Sequence, residues 1–171
     1  MSLAPLLMFA IGNESRGDDA LGPLLARQLI TGLDAAKVEL IEEFQLQVEN
    51  TLDMQSRELV LFIDAGHDTA APFSFYRAPP RALTGHTTHA VAPEALLGVF
   101  SQVHSTAPPP AFVLCVAGSA FELGEPLSPT AENHLKQALA FARELMDEPV
   151  PERWHAIAAT SADTSMHEAL I

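Results

Sequence analysis

The side chains with the greatest chemical reach in this sequence are carboxylates placed where the chain leaves a buried strand. Asp18 and Asp19 lie in Gly12-Asn13-Glu14-Ser15-Arg16-Gly17-Asp18-Asp19-Ala20-Leu21-Gly22, between the apolar run Leu6-Leu7-Met8-Phe9-Ala10-Ile11 and the helix-spaced Pro23-Leu24-Leu25-Ala26-Arg27-Gln28-Leu29-Ile30. Asp64 follows Leu59-Val60-Leu61-Phe62-Ile63 and precedes Ala65-Gly66, again at the end of an apolar run. A charged group in such a place is costly unless it is solvated, hydrogen-bonded or bound to a cation. On position alone Asp64 has two readings, a turn acid accepting from backbone amides or a ligand. A third polar stretch, Gly85-His86-Thr87-Thr88-His89-Ala90-Val91-Ala92-Pro93-Glu94, sets two imidazoles ahead of a helix.

The elements that must position these groups alternate along the chain. Apolar runs predict strands over 6–11, 38–41, 59–64, 73–76 and 112–117, and amphipathic spacing predicts helices over 23–33, 48–54, 93–103 and 130–146. Alternation of this kind specifies a three-layer α/β domain. Runs such as 6–11, apolar without a break, suit central parallel strands covered on both faces. The short strand 73–76, flanked by Pro72, Pro79 and Pro80, reads as an edge strand. In an open α/β sheet ligands bind beyond the carboxyl ends of the strands, the edge that would carry Asp19 and Asp64. Ser128-Pro129-Thr130-Ala131-Glu132 is a helix start, with Ser128 as cap, Pro129 in the first turn and Glu132 near the positive end of the dipole. Residues 1–148 are expected to form one domain. Pro149 and Pro151 break the helical pattern, so 149–171 is expected as a loosely held tail, docked by Trp154.

Bulk properties narrow the partners. A chain of 171 residues, 48% hydrophobic, is sized for a single core. Its 22 acids against 9 Lys plus Arg give a formal net charge of -13, which disfavours a phosphate backbone as partner. No apolar run approaches the roughly 20 residues that span a membrane. The N-terminal run lacks a basic head and is expected to be a strand rather than a signal peptide, consistent with a cytoplasmic protein. Cys115, the single cysteine, lies in Ala111-Phe112-Val113-Leu114-Cys115-Val116-Ala117 and is expected to be an inert core residue.

Gly12-Asn13 closing the first strand, with an acidic pair six residues on, resembles the start of the [NiFe] hydrogenase maturation endopeptidases, which trim the C-terminus of the hydrogenase large subunit after nickel insertion. The likeness continues in order through Asp64, through His89 preceded by Thr87 and Thr88, and through Phe121-Glu122-Leu123-Gly124-Glu125-Pro126-Leu127-Ser128-Pro129 ahead of the final helix. It spans residues 6–146. The resemblance implies a five-stranded mixed, mostly parallel sheet of the phosphorylase/hydrolase-like kind, with the 73–76 strand antiparallel. It also implies that Asp19, Asp64 and His89 are the metal-binding and catalytic residues, with Gly12 and Asn13 shaping the loop. His86 competes with His89 by proximity, but only His89 has the hydroxyl-rich lead-in. Imidazole suits nickel and zinc, carboxylates add charge, and three ligands leave open positions. The implied metal is nickel brought by the substrate, the precursor of a [NiFe] hydrogenase large subunit, with no organic cofactor and a monomeric enzyme.

One departure concerns recognition. Where many members carry a Gly-rich turn after the second strand, this chain has Glu42-Glu43-Phe44-Gln45-Leu46-Gln47, which lacks glycine's freedom for close backbone approach. Gln45 and Gln47 are therefore candidate peptide contacts on a different recognition surface. Serine and classical zinc chemistry find no support, since neither Gly-x-Ser-x-Gly nor His-Glu-x-x-His occurs. Two other functions remain as alternatives. A non-catalytic module recognising nickel-loaded hydrogenase would use the same ligands, and a peptidyl-tRNA hydrolase shares the Gly-Asn strand end but requires a basic groove that the charge opposes.

Overall fold

The protein is described by a computed structural model that covers residues 2–83 and 91–169. Its order is β1 (Leu6–Ile11), α1 (Leu21–Ile30), β2 (Val38–Glu43), α2 (Thr51–Met54), β3 (Leu59–Gly66), β4 (Phe73–Arg77), α3 (Pro93–His104), β5 (Ala111–Ala117), α4 (Pro129–Asp147) and α5 (Pro151–Ala169). A 3-10 turn over Gly17–Ala20 precedes α1, and another over Val48–Asn50 precedes α2. The five strands form one sheet in the order β2-β1-β3-β5-β4. The first four run parallel, and β4 pairs antiparallel with β5 at the edge. This is the mixed, mostly parallel sheet that the resemblance implied.

Strand periodicity divides the core into two layers, because successive side chains point to opposite faces. Leu6, Met8, Ala10, Leu59, Leu61 and Ile63 pack against Leu21, Leu25 and Leu29 of α1 and against Leu135, Ala138 and Ala142 of α4. Leu7, Phe9, Val60 and Phe62 pack on the other face against Met54 of α2 and Leu96, Leu97 and Phe100 of α3. The Phe9 and Phe62 rings stack at 5.3 Å. A helix layer on each face is why β1, and β3 as far as Ile63, are apolar at every position.

The strand order also fixes where a site can form. From β1 the chain crosses on one face to β2 at its outer side, and from β2 it crosses on the other face, past β1, to β3. The crossovers diverge between β1 and β3, and at such a switch point a crevice opens beyond the carboxyl ends.

After Pro149 the chain forms α5, docked by Trp154. Pro151 sits in the first turn of α5, where a missing N–H costs nothing. Trp154 is fully buried, with its indole N–H donating to the Leu145 carbonyl at 3.0 Å and its ring edge-on to Phe112 at 5.6 Å. Arg153 donates to the carbonyls of Glu144, Leu145 and Glu148, satisfying the unpaired acceptors at the end of α4. The large indole and these caps hold the segment where composition alone indicated a break.

Candidate functional site

The loop after β1 is built on two close approaches. Gly12 has φ +147°, and a Cβ there would stand 2.0 Å from the Asp19 carbonyl oxygen, so only glycine lets the loop fold back. A Cβ on Gly22 would lie 2.4 Å from the Ile11 carbonyl oxygen and 2.9 Å from that of Ile63. The start of α1 thus rests on the ends of both β1 and β3. That contact brings Asp19, just ahead of the helix, within electrostatic range of Asp64 at the end of β3.

Asn13 orients the first acid. Its backbone N–H donates to Asp19 Oδ2 at 2.6 Å, while its side-chain Oδ1 accepts from the Ser15 N–H at 2.9 Å, an Asx turn that holds the loop closed. Asp64 Oδ1 accepts from the N–H of Ala65 at 2.8 Å. Burial pushes the Asp64 carboxyl up to about 7, against the opposing pull of the Ala65 hydrogen bond, and the negative charge of Asp19 adds to the rise. Among the described residues, the donors to the pair are the N–H groups of Asn13 and Ala65. Such a place favours a proton or a cation.

Asp18, one residue earlier, has the opposite surroundings. It is fully buried, yet Oδ1 accepts from the Ser128 N–H and Oδ2 from the N–H groups of Ser119 and Ala120 and from the Ser128 hydroxyl. Burial alone would raise its carboxyl, but these four donors together hold it below the ordinary range. Ser128 also accepts from the Ala131 N–H at 3.2 Å as the cap of α4.

Asp19 opens onto a cavity of about 420 Å³ whose other lining residues are Asn13, Arg16, Glu43, Phe44, Gln45 and Gln47. The two glutamines singled out in the sequence therefore share a cavity with Asp19. Phe44 is 74% exposed at its edge. Val91, the first described residue after position 90, donates its N–H to the Leu46 carbonyl between the two glutamines at 3.2 Å. His86 and His89 lie outside the described residues. Among the described residues, no group of three His, Cys, Asp or Glu side chains is placed to hold a metal ion, so Asp19 and Asp64 supply two candidate ligands of the expected three.

Sequence reasoning missed Arg16, Glu43 and Phe44 as lining residues, and it missed the role of Asp18, whose partners lie more than a hundred positions away. Cys115 is half-buried rather than in the deep core, because it pairs in register with Asp64 near the open edge. Its Sγ lies 3.0 Å from Thr69 Oγ1, and burial pushes the thiol up, which leaves it unreactive. His67 and Asp68 are exposed. His134 donates Nδ1–H to the Ala117 carbonyl at 2.7 Å, a tie between α4 and β5.

No family model and no curated protein matches the sequence. Solved structures do share its fold. The [NiFe] hydrogenase maturation protease HycI from Thermococcus kodakarensis KOD1 superposes with a TM-score of 0.64 at 21% identity, over 85% of this chain and 94% of that one. The hydrogenase maturating endopeptidase HybD from E. coli gives 0.63 at 21% identity, over 83% and 92%. The hydrogenase 2 maturation peptidase from Thaumarchaeota archaeon SCGC_AB-539-E09 gives 0.59 at 22% identity, over 83% and 97%. Identities this low establish a common fold.

Proposed function

We propose that this chain is an endopeptidase that removes a C-terminal extension from the precursor of a [NiFe] hydrogenase large subunit after nickel insertion. The observation that carries the reading is the carboxylate pair Asp19 and Asp64 at the switch point, short of donors among the described residues, in a fold shared with proteases of that kind. His89 joins them as third ligand through the likeness of its Thr-Thr lead-in. The nickel is part of the substrate. Two carboxylates and one imidazole, without thiolate, form an open set that holds a resting metal less firmly than a closed structural site.

When bound, the ion would polarise the scissile carbonyl or activate water, or else position the substrate while a carboxylate acts as base. The protein's own groups orient and neutralise. Asn13 N–H fixes Asp19 through Oδ2, and Ala65 N–H fixes Asp64 through Oδ1. With Oδ1 engaged by the Ala65 N–H, Oδ2 is the oxygen that, among the described residues, Asp64 has to offer a cation. Gln45 and Gln47 offer donors and acceptors to an extended peptide lying beside Asp19. Hydrolysis then breaks the C–N bond, places the water's hydroxyl on the carbonyl carbon and its proton on the departing amine. The reaction is assigned to a monomer in the cytoplasm, with protein as the partner. The net charge of -13 disfavours nucleic acid, and among the described residues no helix is long and apolar enough to cross a membrane.

The test presents metal-stripped enzyme with nickel-loaded and nickel-free precursor and follows the C-terminal fragment by mass spectrometry. Cleavage of the loaded form only, lost in His89→Ala and kept in His86→Ala, is the expected result. Equal cleavage of both forms removes nickel gating, and recognition without any mass loss converts the reading to a non-catalytic maturation partner.

A further inference from the structure

We infer that Asp18 is a positioning residue for Asp19, acting by locking the loop that leads into α4 against the turn that carries the site acid. The inference rests on the reading of Asp19 as a site residue. Asp18 Oδ1 accepts from Ser128 N–H at 2.8 Å, and Oδ2 accepts from Ser119 N–H at 2.8 Å, Ala120 N–H at 3.1 Å and the Ser128 hydroxyl at 2.9 Å. Backbone bonds run beside them: Asp18 N–H to the Ala120 carbonyl at 2.7 Å, Gly17 N–H to that of Glu125 at 3.1 Å, and Gly124 N–H to that of Ser15 at 2.7 Å. The loop over 118–128 and the turn over 15–18 are thereby one rigid unit. Asp19 is the next residue, and its Oδ2 meets Asn13 N–H at 2.6 Å. A turn fixed on one side at Asp18 and on the other at Asn13 leaves the Asp19 carboxylate little freedom.

A purely structural role explains this arrangement poorly. Ser128 caps α4 through Ala131 N–H without help, and a buried carboxylate gains little net stability over an apolar filler once its desolvation is counted. What a charge with four donors does supply is one fixed geometry. A ligand needs that, because displacement of a reacting group by about 1 Å can cost about a hundredfold in rate.

The experiment compares Asp18→Asn with Leu139→Ala, which loosens α4 from its buried face without touching the turn. Both are studied at a temperature where circular dichroism shows them folded. Asn13 amide exchange is read by NMR, and kcat and KM are read on nickel-loaded precursor. Asp18→Asn is expected to speed Asn13 exchange and to lower kcat by about tenfold or more, with KM within about threefold. Leu139→Ala is expected to keep both. If Asp18→Asn does not fold, Ser128→Ala removes one donor and shifts both readouts the same way by a smaller factor, and Ser128→Thr restores them. Wild-type exchange and kcat in a folded Asp18→Asn or Ser128→Ala protein overturn the inference, as does an equal loss in Leu139→Ala. If the wild-type protein cleaves no precursor, the functional reading falls by itself and Asn13 exchange decides the role of Asp18.

Discussion

Asp18 and Asp64 are both withdrawn from solvent, yet their carboxyls move in opposite directions. Four donors surround Asp18 and hold it ionised. Asp64 has the Ala65 N–H and a second negative charge at Asp19, and its carboxyl rises to about 7. Burial is therefore not what separates these two carboxyls among the described residues. The supply of donors is. Asp18 ties the 118–128 loop to the turn that carries Asp19, whereas Asp19 and Asp64 have few donors among the described residues.

The largest effect expected from breaking this comparison is at the well-supplied acid. Asp18→Ala leaves three buried backbone N–H groups and a hydroxyl without their acceptor, and should cost about 3 to 5 kcal/mol. In thermal unfolding that corresponds to a fall of roughly 10 °C in Tm for a chain of this size.

A smaller and opposite effect is expected at the poorly supplied acid. Folded Asp64 keeps its proton to about pH 7, against an ordinary value of 3.8. Between those values the folded state binds more protons than the unfolded state, so its contribution to stability declines as pH rises and levels off above about 7. Asp64→Asn should abolish that decline and stabilise the protein at pH 8 by about 2 kcal/mol, a figure discounted for partial exposure. Asp18 behaves in the reverse sense. Its stabilisation is present above 3.8 and is lost as pH falls through its lowered folded value. Chemical denaturation of wild type and Asp64→Asn across this range separates the two acids.

Recognition should be milder still. Gln45→Ala and Gln47→Ala are each expected to raise KM about threefold to tenfold with kcat preserved, the pattern of lost uniform binding. Loss of kcat instead would move these side chains from the peptide to the reaction. Thr69→Val, which removes the Cys115 contact, should change stability by less than about 1 kcal/mol and leave cleavage unaltered.

Which of these features the sequence made legible depends on how local their cause is. β1 and β3 were readable because continuous apolar runs leave little else for them to be, and the 128–132 signals placed the start of α4 at Pro129. Asp64 was readable from the apolar run before it only as a strand-end acid with two readings, and the resemblance chose between them. Asp19 was distinguishable from Asp18 only by resemblance, because the difference between them comes from Ser119, Ala120 and Ser128, which no spacing rule connects to position 18. The helix α5 was hidden for a similar reason. Its two prolines look like a break, and the burial that holds Trp154 belongs to Phe75 and Phe112 on other strands.

The most direct test of the central claim, that the donor-poor pair performs the cut and is unstable because it does, uses Asp64→Asn at pH 8 with both readouts on one preparation. Mass spectrometry of nickel-loaded precursor should show the C-terminal fragment released by wild type and not by Asp64→Asn, while thermal unfolding places the variant above wild type. An Asp64→Asn protein that cleaves at the wild-type rate, or that is less stable than wild type at that pH, contradicts the account.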